Sequence, residues 1–266
     1  MRRPILCLAL ALLIGCRADM PTNNGAAKVP NEITVSAAVS LKDAFIEIGQ
    51  LYETRTGIHV NFNFAASGIL QKQIEQAAPV DVFASAGERQ MDELANKNLI
   101  FTDTRRDFAG NTLVLILPRS QATTQELQWF ERLAQSPVRK IAIGNPQTVP
   151  AGFYARQTLV NLNLWDKVQQ KLVLAEDVRQ VLDYVARAEV DAGFVYVTDI
   201  APTNQAVFVA APAPETTHDS ILYPIAVVKD SRHAEAALGF IALVLSPEGQ
   251  AVLKKYGFIS VLFGEG

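Results

Sequence analysis

Residues 33–45 constrain the chain more than any other stretch. Ile33-Thr34-Val35 is a β-branched run that reads as a strand. Leu41, Phe45, Ile48 and Leu51 then recur at the three- and four-residue spacing of one helix face. Ser40 stands at the junction, where a helix takes its N-cap. The first N–H groups of a helix have no partner inside it, and the positive end of the helix dipole lies there. A strand that runs through a serine into a helix start is therefore an anion site in outline. Taken alone, it reads first as a plain capped helix. The arrangement recurs at residues 58–70. Ile58, Val60, Phe62 and Phe64 alternate as on a strand, Ala65-Ala66-Ser67-Gly68 follows, and Leu70 and Ile74 mark a second helix.

Strand and helix patterns go on alternating, which predicts α/β layers. Val80-Asp81-Val82-Phe83-Ala84 reads as a third strand, and residues 112–117 as a long apolar one. Residues 141–143 enter the turn Gly144-Asn145-Pro146, and Val149-Pro150-Ala151-Gly152 opens a helix. Residues 172–174 lead into Ala175-Glu176-Asp177-Val178-Arg179, which opens another; Asp177 reads as its cap. Further strands are predicted at residues 192–197, ending near Tyr196, and at 206–210 and 221–228. Ser246-Pro247-Glu248 carries an N-cap followed by proline at the first helical position.

The long strands near Leu113 and Ile225 are candidates for links between two α/β lobes. On that reading, lobe I is residues 32–112 plus 223–266, and lobe II is residues 113–222. Ligands of open parallel sheets bind at the C-terminal ends of the strands. The cleft is then expected to be lined by Ser40 and Ser67 from one lobe, and by Ala151, Val178 and Tyr196 from the other.

Residues 1–15 are expected to be a signal peptide. Arg2 and Arg3 form a basic start, and the apolar run that follows is too short to span a membrane. The run ends in Leu13-Ile14-Gly15-Cys16, which resembles a bacterial lipobox, so Cys16 is the expected lipidation site. Residues 16–31, with Pro21, Asn23, Asn24, Gly25 and Pro30, read as a flexible tether. Cys7 would leave with the signal, so no disulfide, cysteine metal cluster or cysteine nucleophile is expected. Loss of Arg2 and Arg3 moves the formal charge from −3 to −5, and an acidic chain without a basic block argues against nucleic acid. Catalysis is not expected. None of the three histidines, His59, His218 and His233, stands beside a serine of elbow type, and the Gly-x-Ser-x-Gly, His-Glu-x-x-His and Cys-x-x-Cys patterns are absent.

Six motifs fall in one order: Ala37-Ala38-Val39-Ser40-Leu41, Phe64-Ala65-Ala66-Ser67, Asp81-Val82-Phe83-Ala84-Ser85-Ala86, Val149-Pro150-Ala151-Gly152, Ala175-Glu176-Asp177-Val178-Arg179 and Gly193-Phe194-Val195-Tyr196. In this order they resemble the molybdate-binding proteins of bacterial ABC importers, over residues 33–258. The resemblance implies a two-lobed periplasmic-binding-protein-like fold of type II, joined by two crossover strands. It implies capture of molybdate, with tungstate beside it, for delivery to an ABC permease by a monomer that needs no cofactor. Another tetrahedral oxyanion such as sulfate is the alternative ligand. It also implies that the oxyanion is held by the hydroxyls of Ser40, Ser67 and Tyr196 and the backbone amides of Ala151 and Val178, with no residue ligating the metal atom directly. Gly68 departs from relatives that often carry a second serine there. The lipobox departs from relatives that are free in the periplasm, and implies an extracytoplasmic chain anchored by lipid.

Overall fold

A computed structural model describes residues 30–121, 128–200 and 205–261. The expected signal peptide, the lipid site Cys16 and the tether as far as residue 29 lie outside the described residues. The strands are β1 (Glu32–Ala38), β2 (His59–Ala65), β3 (Val82–Ala84), β4 (Arg106–Gly110), β5 (Leu113–Pro118), β6 (Ile141–Gly144), β7 (Leu172–Ala175), β8 (Ala192–Tyr196), β9 (Val207–Pro212) and β10 (Leu222–Val227). The α-helices are α1 (Lys42–Thr56), α2 (Ser67–Glu75), α3 (Glu88–Asn96), α4 (Trp129–Arg132), α5 (Pro150–Asn161), α6 (Trp165–Val168), α7 (Val178–Ala186), α8 (Ala234–Leu245) and α9 (Pro247–Lys255).

Among the described residues the strands form two sheets, ordered β2-β1-β3-β10-β4 and β7-β6-β8-β5-β9. In the first, β1 runs parallel to both neighbours, with Val35 opposite Phe62 and Val82. In the second, β6 runs parallel to β7 and β8, with Ile143 opposite Leu174 and Ile141 opposite Ala192. The antiparallel strands β10 and β5 join the parallel parts to β4 and β9. The chain passes from the first sheet to the second between Gly110 and Leu113, and returns between Pro212 and Leu222. Two mixed sheets with helices, crossed twice by the chain, are the type II two-lobed α/β fold.

Burial explains why the strands take these positions. Val35, Ala37, Val82 and Ala84 of the first sheet and Ile141, Ala142, Phe194 and Val195 of the second are all buried, as expected of strands covered on both faces. Phe45 of α1 anchors the first core. Its ring lies 5.7 Å from that of Phe108 and 5.8 Å from that of Phe240, joining β4 and α8 to the parallel strands. Gly57 ends α1 in the left-handed region, at φ 72°. Ser246 caps α9 through the Gly249 N–H.

Four elements have no counterpart in the sequence reading: the one-turn helices α4 and α6, strand β4 and helix α8. The edge strand β4 carries Arg106 and Asp107 and ends in glycine, so its pattern is weak. Helix α8, Ala-Glu-Ala-Ala-Leu-Gly-Phe-Ile-Ala-Leu-Val-Leu, is apolar almost all round and shows no single stripe.

Gly152 fixes how α5 seats against the second sheet. A Cβ there would lie 1.8 Å from the Gly144 carbonyl oxygen at the end of β6. Gly152→Ala is therefore expected to push the start of α5 off the strand and cost about 1–3 kcal/mol, as overpacking does. Urea denaturation measures this, and an unchanged midpoint would show that α5 does not depend on that close approach.

Candidate oxyanion site

All five expected site residues follow the C-terminal ends of parallel strands. Ser40 follows β1, Ser67 follows β2, Ala151 follows β6, Val178 follows β7, and Tyr196 ends β8. The structure brings them together. Ser40, Ser67, Ala86, Ala151, Val178 and Tyr196 line one small cavity of about 10 Å³. Its lining, drawn from both sheets' edges, contains no charged side chain.

The serines reach the cavity differently from the simple expectation. Ser40 is not an N-cap: it sits inside a short 3₁₀ turn, Val39–Leu41, that leads into α1, and it makes no capping bond. Its Oγ lies instead 3.2 Å from the Tyr223 hydroxyl. Ser67 is the first residue of α2, after Ala66 at the cap position. Its Oγ accepts a hydrogen bond from the Ala86 N–H at 3.0 Å, which leaves its own proton for another acceptor.

The two amides belong to helix starts. Ala151 is the second residue of α5, behind Pro150, and Val178 is the first residue of α7. Neither N–H has a partner within its helix. Asp177 stays off the cavity because it caps α7, its Oδ1 accepting from the Gln180 N–H at 2.9 Å. Tyr196 is 1 % exposed, and its hydroxyl donates to the Ala86 carbonyl at 3.0 Å. Burial, with Tyr223 next in effect, holds its phenol pKa well above the usual value, so the group stays a protonated donor. One phenol proton serves one acceptor at a time, so an anion engages Tyr196 only by turning that proton away from Ala86.

Hydrogen bonds cross the cleft around this cavity. The Gly68 N–H donates to the Thr148 carbonyl at 2.8 Å. Arg89 donates to the Gln147 carbonyl at 2.7 Å. Arg179, the residue after Val178, pairs with Asp43 of α1 at 2.7 Å and with Asp199 at 3.2 Å. Burial pushes the Asp199 carboxyl up to about 7, opposed by Arg179 and by the Tyr196 N–H. Burial works against the Arg179 charge, yet Asp199 and Asp43 together raise its pKa above the ordinary value. Its charge is thus shared between two carboxylates. A larger depression of about 260 Å³ beside Pro150 has Glu88, Asp92 and Asp219 set against the one cation Arg89, so its lining is acidic on balance and disfavours an anion.

Tyr223 and Asn111 were not singled out as site residues by the sequence. Tyr223 lies 183 residues from the serine it touches, and no local spacing carries that contact.

The description bacterial extracellular solute-binding protein matches residues 33–259. The chain is 40 % identical to the putative ABC transporter substrate-binding lipoprotein YvgL of Bacillus subtilis (strain 168), over 94 % of each chain. It is 35 % identical to the molybdate-binding protein ModA of Escherichia coli (strain K12), over 94 % of this chain and 97 % of that one. Among solved structures, the periplasmic molybdate-binding protein of Azotobacter vinelandii superposes with a TM-score of 0.77 at 26 % identity, covering 85 % of this chain and 98 % of that one. The chain belongs to the bacterial extracellular solute-binding protein family.

Proposed function

We propose that this chain is the solute-binding component of an ABC importer, and that it captures molybdate, with tungstate as a close second, between its two lobes. One observation carries the reading: hydroxyls and helix-start amides from both sheets converge on a cavity that no charged side chain lines. A buried dianion is tolerable only when its oxygens accept hydrogen bonds. Ser40, Ser67 and Tyr196 supply hydroxyls, and Ala151 and Val178 supply N–H groups, so every proposed contact is a donor. The names of the relatives in Escherichia coli and Azotobacter vinelandii support molybdate as the ligand. The chain binds and releases rather than catalyses, and it needs no cofactor, because the donors are its own. It hands the ligand to a permease, and Cys16 carries a lipid that tethers it outside the cytoplasm. The Bacillus subtilis relative is named a lipoprotein.

Isothermal titration with molybdate tests the reading directly. Ser40→Ala and Ser67→Ala are each expected to weaken binding by roughly tenfold to a hundredfold, since a hydrogen bond to a charged group is worth about 1.5–3 kcal/mol. Unchanged affinity in both variants would move the site elsewhere.

Competition titrations read the selectivity. Phosphate near neutral pH keeps at least one proton, and a site made of donors leaves that P–O–H unpaired at a cost of about 1–3 kcal/mol. Sulfate is a full dianion but a smaller tetrahedron, so its oxygens fall short of donors fixed by two lobes, and long hydrogen bonds weaken steeply. The expected order is molybdate and tungstate together, then sulfate far weaker, then phosphate. Sulfate displacing molybdate at equal concentration would make sulfate the better assignment.

Mass spectrometry of the membrane-extracted protein is expected to find an acyl group on Cys16. A mature N-terminus at another residue, without lipid, would refute the anchor.

A further inference from the structure

Asn111 and Tyr223 stand where the chain crosses between the sheets. Asn111 lies in the link from β4 to β5, and Tyr223 lies in β10. Both are buried. The Asn111 amide has only one sensible orientation, because its Oδ1 accepts from the Thr112 N–H at 2.9 Å. Its other end is then the amide nitrogen, which can only donate. That Nδ2 donates to Thr198 Oγ1 at 2.7 Å and to the Tyr223 hydroxyl at 3.0 Å. The Tyr223 oxygen is thereby an acceptor on its inner side. Burial holds its phenol pKa well above the usual value, so the hydroxyl keeps one proton to give. Ser40 Oγ, 3.2 Å away, is in place to receive it. A serine oxygen that accepts from Tyr223 turns its own proton elsewhere, and Ser40 lines the cavity. Hydrogen bonds in such a series also polarise one another.

We infer that Asn111 and Tyr223 are positioning residues that hold the Ser40 hydroxyl as a donor to the bound oxyanion, and that they thereby set selectivity against oxyanions carrying a proton. The inference rests on the function proposed above and adds the part that gives the site its polarity. Tyr196 is the other phenol packed on Tyr223, its ring centroid 5.8 Å away, and its own proton goes to Ala86. Had Tyr223 donated to Tyr196, Ser40 would be left to donate to Tyr223, and the direction of the series would reverse.

Three variants separate these directions, with molybdate and inorganic phosphate as probes in calorimetry and a melting curve for each protein. Wild type is titrated first. If it takes up no oxyanion, the proposed function falls and this inference with it; if it binds and the variants break the pattern below, only this inference falls. Asn111→Asp keeps the shape and the bond from Thr112 but offers Tyr223 an acceptor. The phenol then donates inward, accepts from Ser40 and draws that proton out of the cavity. Molybdate affinity is expected to drop by at least about tenfold, the value of one hydrogen bond to a charged group. The new negative charge contributes to that drop, so the double variant Asn111→Asp/Tyr223→Phe is the control. It retains the charge but lacks the phenol oxygen, which frees Ser40 to donate. It is expected to bind molybdate at least about threefold more tightly than Asn111→Asp.

Tyr223→Phe alone leaves Ser40 free to donate or accept. It is expected to lose less than about fivefold in molybdate affinity, while the preference for molybdate over phosphate narrows by at least about threefold. A double variant no tighter than Asn111→Asp would overturn the inference, because charge alone would then explain the loss. An unchanged molybdate-to-phosphate ratio in Tyr223→Phe would overturn it independently, and that arm decides the matter if melting shows Asn111→Asp unfolded.

Discussion

Taking a doubly charged oxyanion out of water strips it of hydration worth many kcal/mol, and the protein must return that interaction from all sides. One sheet edge faces the ion from one side only. Two edges facing each other surround it, and on the proposed function this need explains why the donors come from both lobes. Each donor lies at or beyond the end of a parallel strand, and four of the five belong to the helix or 3₁₀ turn that comes next in the chain. The fifth, Tyr196, reaches in from the strand end itself. The crossings at Asn111–Thr112 and before Leu222 keep the two edges opposed, so fold and site are one construction.

The β–turn–α units were legible because their signals are local. β-branched runs, helical spacing of apolar residues and turn residues all act within a dozen positions, and the junctions at Ser40, Ser67, Ala151 and Val178 lie where those signals change. What was not legible depends on distance or on edges. Ser40 read as a cap because sequence shows the helix behind it and not Tyr223 beside it. Strand β4 pairs with a single strand, apart from a bridge from Gly110 to Ile259, and is charged at its start, so alternation was too weak to mark it. Helix α8 was hidden for the opposite reason: Phe240, Ile241, Leu243 and Val244 are all buried, and a helix covered on several sides has no stripe to read.

Neutral donors have a physical consequence for a carrier. A buried guanidinium would attract any anion strongly and would be left costly and unpaired whenever the ion departed. Arg179 sits one residue from the Val178 amide, yet its charge is taken up by Asp43 and Asp199. On the proposed function, the site would recognise its ligand by the geometry and direction of hydrogen bonds. Direction matters as much as number: a hydroxyl that donates to a fully deprotonated oxyanion repels a protonated one if it cannot turn round. Buried phenols that keep their protons, as burial ensures for Tyr196 and Tyr223, make such directions durable across the neutral pH range.

The contacts that hold the lobes together are of a strength that permits reversal. Arg179–Asp43 is partly solvated, and exposed pairs of this kind contribute about 0–1 kcal/mol. The Gly68–Thr148 bond is a single backbone hydrogen bond, of the class worth about 0.5–1.5 kcal/mol net. Neither alone would hold two lobes against the entropy of opening, but an anion bonded to both edges adds charged hydrogen bonds that exist only when the edges meet. On the proposed function, such an anion would therefore favour the closed arrangement beyond what these contacts supply by themselves. The Tyr196 hydroxyl shows the same balance in one atom: it is bonded to Ala86 across the cleft, and on the proposed function a ligand would compete for that proton. A lobe contact that is exchanged for a ligand contact lowers the net affinity while preserving the closed geometry, which is what separates a protein that must release its cargo from one that only needs to hold it.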